Sequence, residues 1–154
     1  MTPEQRRRAA AALWAHEEAK SEQLQATQLV AKQMKLRPKT AMTLGADRKA
    51  NYLASVPDVP EDLAAKLLVV YHLAEQQALM GAFLDALGIA HENGMIKDDA
   101  AAPDAAKMPA AAIAIAKSYP AHDVALYLNT LVSQDPGAWG ALETLPAAAM
   151  GEKR

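Results

Sequence analysis

The sequence predicts an all-α fold: a single compact helical domain of six or seven helices with a long N-terminal helix. Three observations carry that expectation. Alanine supplies 36 of the 154 residues, whereas valine, isoleucine and phenylalanine, which favour strands, number only 7, 4 and 1. Apolar residues recur at helical spacing through most of the chain. The nine prolines, at 3, 38, 57, 60, 103, 109, 120, 136 and 146, fall at starts and breaks of those periodic segments. The expected domain covers residues 1–154, with a helix over 3–36, a helical body over 46–146 and a frayed tail over 147–154.

Thr2-Pro3-Glu4-Gln5 has an N-cap, a first-position proline and a glutamine placed to close a capping box, so the first helix starts at Pro3. It runs to about Leu36, because Pro38 disfavours helix at Arg37, and Lys32, Lys35 and Arg37 stand where the macrodipole favours cations. At about 1.5 Å per residue this is a rod of roughly 50 Å. A domain of this size is narrower, so the rod projects in part or breaks. Its apolar stripe is interrupted by a polar patch from His16 to Gln23.

Lys39 to Ala46 is expected to be a connection, followed by a short helix from Ala46 to about Ser55 with Tyr52, Leu53 and Val56 on its apolar edge. Pro57 and Pro60, followed by Glu61 and Asp62, mark a tight linker into a third helix. That helix, Leu63 to Leu87, is the most apolar segment and the expected centre of the fold, with a kink or short break near Gln76, Gln77 and Gly81. Gly88 suits its C-terminal cap, and His91-Glu92-Asn93-Gly94 has the composition of a polar turn.

Lys97 to Pro103 is expected as a surface loop, then helix returns from Ala105 to Tyr119, with Pro109 starting it or bending its first turn. A further helix spans His122 to about Ser133. Asp135-Pro136 caps a last short one bearing Trp139 and Leu142. The alanine patches at 9–12 and 110–116 suit close-packing helix surfaces, and the one at 100–106 falls largely in the loop. No repeat at a period of 20–50 residues is present.

The absence of cysteine excludes disulfides, thiolate zinc sites and a cysteine nucleophile. The opening residues lack the apolar core of a secretory signal, and no stretch approaches a membrane span, so a cytoplasmic location and no membrane partner are expected. Net charge is −2, yet residues 1–50 hold ten Lys/Arg against five Asp/Glu while the remainder holds six against thirteen. Such a split suits association with an acidic body, the chain's own or a second copy's, or with an external polyanion.

Three candidate sites follow. Leu13, Trp14, Leu24, Leu29, Val30 and Met34 form an incomplete apolar stripe on the first helix, suited to a protein partner or a second copy. Lys32, Lys35, Arg37, Lys39, Arg48 and Lys49 form a basic cluster that offers the alternative of nucleic-acid binding through phosphate. Tyr71, His72 and Glu75 lie close on the third helix, where His and Glu three apart reach one ion or line a small-molecule pocket. The order His72-Leu73-Ala74-Glu75 inverts the Glu-x-x-His of metal-carboxylate bundles, and no second copy occurs.

The run from Leu53 to Leu67 resembles the helix-hairpin-helix of DNA-binding proteins in its Leu, Val, Pro and Ala positions. It departs where that motif uses two glycines to approach phosphate, since those places hold Asp58 and Pro60. The shared feature is therefore a way of turning between helices. No glycine-rich phosphate loop, Gly-x-Ser-x-Gly elbow or His-Glu-x-x-His occurs. The expectation is a non-enzymatic interaction protein without a cofactor, self-associating through its first helix.

Overall fold

The computed structural model describes residues 1–149. Among them are ten α-helices, two 3-10 segments and one two-stranded hairpin, so the fold is all-α. The helix number exceeds the six or seven expected because the segment 3–36 is divided and because residues expected as a connection and as a frayed tail are helical. Two compact units are present, Met1–Ala74 and a second beginning at Glu75.

The first unit holds α1 (Pro3–Ala15), α2 (Lys20–Gln33), α3 (Pro38–Thr43), α4 (Ala46–Ala54) and all but the last residue of α5 (Glu61–Glu75). The capping box forms as the sequence predicts: the Thr2 hydroxyl accepts from the Gln5 amide at 3.1 Å, and the Gln5 side chain accepts from the Thr2 amide at 2.9 Å. The expected helix over 3–36 is broken at residues 16–19. His16 leaves the helical region at φ −89° and ψ 109°. Its polar neighbours Glu17 and Glu18 lie in the exposed turn, where water solvates both backbone and side chains.

α1 packs chiefly along α4. Ala10, Ala12 and Leu13 of α1 share one core cluster with Ala50 and Leu53 of α4, and small side chains let the two backbones come close. Val30 and Ala26 of α2, Val56, and Leu63 and Val70 of α5 complete this core. Residues 39–43, expected as connection, belong to α3, because Pro38 occupies its first turn and has the φ a helix start requires.

The apolar segment 63–87 breaks at Gln76, where φ −123° and ψ 19° end the helix, consistent with the expected break. The second unit comprises α6 (Gln77–Leu87), strands β1 (His91–Glu92) and β2 (Met95–Ile96), and α7 (Met108–Ser118), preceded by a 3-10 turn over Ala105–Lys107. After them come α8 (Ala121–Gln134), α9 (Pro136–Trp139), a 3-10 segment Gly140–Thr144 and α10 (Pro146–Ala149). Gly88 closes α6 in the left-handed region at φ 71°. Leu79, Phe83 and Leu84 of α6 pack with Met108, Ile115, Leu128 and Leu142. Phe83 meets the Tyr127 ring edge-on at 5.7 Å.

The frayed tail expected over 147–154 needs correction at its start. Ala147 and Ala148 are buried in α10, and the Asn129 amide donates to the Ala148 carbonyl at 2.9 Å. Residues 150–154 lie outside the described residues.

Candidate functional site

The six-residue stripe is divided by the break between α1 and α2. Leu13 and Val30 are fully buried in the first unit, and Trp14 and Leu29 are half-buried against the same core. Leu24 and Met34 remain exposed at 49% and 39%. The structure thus assigns the first four to the protein's own core and leaves two at the surface.

Met34 stands at the C-terminal end of α2, inside the basic cluster. Lys32, Lys35, Arg37, Lys39 and Arg48 are exposed. Lys49 is half-buried instead, its ammonium 6.0 Å from the Trp14 ring centroid. Lys35 occupies the left-handed region at φ 56°, ending α2 as the Leu36 amide donates to the Ala31 carbonyl at 2.8 Å. That geometry ordinarily takes glycine. Lys39 and Met42 are three apart on α3 and so share a face. Met42, absent from the residues singled out by sequence, is exposed at 58%. The turn from α2 into α3 is thus a basic corner carrying two exposed methionines.

Tyr71 and His72 are buried while Glu75, the last residue of α5, is exposed. His72 Nδ1 donates to the Leu68 carbonyl at 2.8 Å, which fixes that nitrogen as the protonated one. The Tyr71 ring lies under the Arg8 guanidinium at 5.6 Å. Burial of His72 and Tyr71 thus has local structural causes. Among the described residues no group of three or more His, Asp or Glu side chains is placed to hold a metal ion.

His91, expected in a polar turn, holds a defined place in the structure. Its Nδ1 accepts from the Gly94 amide at 3.1 Å, so Nε2 carries the proton and donates to Asp85 at 2.7 Å. Both ring nitrogens are engaged, which suits a latch between hairpin and α6 more than a general base. Asn93 and Gly94, at φ 51° and 88°, make the two-residue turn that Asn-Gly favours. A Cβ on Gly94 would lie 2.6 Å from that of Met80. The held hairpin presents Met95 and Ile96, exposed at 53% and 40%. Glu92, Asp98 and Asp99 are exposed beside them in the chain. The Asn-Gly pair was the available signal for this hairpin.

Comparison of the chain with protein-family models, curated proteins and solved structures finds no match. Among the described residues no single helix is long and apolar enough to cross a membrane.

Proposed function

We propose that the protein is a non-enzymatic helical interaction protein of the cytoplasm that associates with a second copy of itself through the exposed part of its N-terminal region. The observation that carries this reading is the basic corner. Met34 and Met42 stand exposed there, with Leu24 on the preceding helix. Methionine adapts its shape to a partner surface, and exposed apolar groups ringed by charge are the usual composition of a docking face. Support also comes from Lys35, since backbone held in an uncommon region tends to mark functional surfaces. α1 and α2 are separate helices, not one continuous rod, so the residues left exposed on α2 and α3 form the docking face.

Sedimentation velocity over a wide concentration range tests the proposal. The expected result is a mass rising above the 16.4 kDa of one chain, with L24K/M34K shifting the equilibrium toward monomer. A clean monomer at high concentration overturns it. Deleting α1 is not a suitable test, because Leu13 and its neighbouring alanines belong to the core.

A second reading, polyanion binding, is favoured by the exposure of Lys32, Lys35, Arg37, Lys39 and Arg48. It expects binding to duplex DNA that weakens steeply with salt. No mobility shift at low ionic strength removes it.

A further inference from the structure

We infer, resting on the self-association reading, that two copies join head to tail: the acidic hairpin of one chain seats on the basic methionine corner of the next. The two surfaces match in kind. At the corner, no acidic residue occurs between Glu22 and Asp47, and four cations lie between Lys32 and Lys39. In the hairpin and the residues just after it, Glu92, Asp98 and Asp99 stand against Lys97 alone between Ile89 and Pro103. Each surface also carries two large exposed apolar side chains, Met34 and Met42 on one and Met95 and Ile96 on the other. Opposed charge steers and registers such a contact, and the apolar pairs supply what is removed from water.

The hairpin is organised before it binds. Its turn residues have the φ values that the turn requires, Gly94 sits against Met80, and His91 ties the turn to Asp85. Little loop entropy is therefore lost on docking. Because the two surfaces differ, one such contact leaves a corner and a hairpin open, and these either pair with each other to close a dimer or take further copies.

The test reverses each charge set in the full chain, as K35E/R37E/K39E and as D98K/D99K, with circular dichroism and a urea midpoint verifying that each folds. Every substituted side chain is exposed. In sedimentation velocity at low salt, each variant alone is expected to associate roughly tenfold or more weakly than wild type. An equimolar mixture of the two is expected to regain mass, since each then offers the charge the other lacks. Wild-type association in either single variant, or no recovery in the mixture, overturns the pairing while leaving self-association standing. A wild type that is monomeric throughout removes both. Should duplex DNA at low salt compete away the wild-type assembly, the corner is an anion site that the hairpin shares, and the pairing stands. Should DNA bind while no assembly forms, the pairing falls.

Discussion

The side-chain amide of Gln23 donates to the backbone carbonyl of Leu13 at 2.9 Å, across the break between α1 and α2. The same nitrogen reaches the His16 carbonyl at 2.8 Å. Carbonyls at a helix end have few intrahelical partners; these two accept from the His16 and Ala19 amides, and one glutamine from the next helix adds a second donor. The break is therefore a bonded corner and not a frayed hinge. Replacing Gln23 by Leu removes that second donor and is expected to lower stability by about 0.5–1.5 kcal/mol. Urea denaturation measures it; an unchanged midpoint would show that water takes over the role.

The two halves of the apolar stripe should separate on substitution. Leu13→Ala empties a fully buried site and is expected to cost about 2–5 kcal/mol. Leu24→Ala, at a position half open to solvent, is expected to stay within about 0.5 kcal/mol of wild type. Thermal unfolding of both variants checks the contrast.

Gly94→Ala meets two obstacles, a positive φ of 88° and the Met80 Cβ at 2.6 Å. A loss of roughly 1–3 kcal/mol is expected, accompanied by faster amide exchange at Lys97, whose N–H donates to Ala90 at the open end of the hairpin. Normal protection there would show that the hairpin can shift off α6 without loss.

Lys35→Gly is expected to act in the opposite sense. The left-handed φ of 56° suits glycine, so relief of strain stabilises by about 0.5–1 kcal/mol despite the greater freedom of the unfolded chain. A lower urea midpoint in this variant would contradict the cap geometry.

Burial pushes the Tyr127 phenol well above its ordinary value of 10. Below that value both folded and unfolded chains hold the proton and the group adds no pH dependence. Above it the unfolded chain ionises first, so stability falls as pH rises. Tyr127→Phe is expected to flatten that fall above about pH 10, measured as the difference in urea midpoint between neutral and alkaline solution. An equal decline in the variant would assign the effect to other groups.

Signals confined to a few residues were legible in the sequence. Thr2 with Gln5, Gly88 after Leu87, and Asp135, whose carboxylate accepts from the Ala138 amide at 3.1 Å, each act within one turn of helix. The break at His16 was harder, because the polar patch allowed either a projecting rod or a corner, and Gln23 acts ten residues from Leu13. The turn at Asn93-Gly94 was legible, but the strands beside it were not, because each is only two residues long and lacks an alternating pattern. Of the candidate sites, the basic cluster was visible as composition. Which apolar neighbours stay exposed depends on packing against α4 and α5, which spacing alone does not determine.

The alanines from Ala9 to Ala12 are identical in letter and unequal in circumstance: Ala11 faces solvent, while Ala9, Ala10 and Ala12 press toward the core. An added side chain at Ala11 extends into water, and at the other three it would wedge the opening helix away from its neighbour. A saturation scan across this stretch should therefore return one permissive position among three that refuse bulk. The plainest run in the chain thus specifies how near two helices lie.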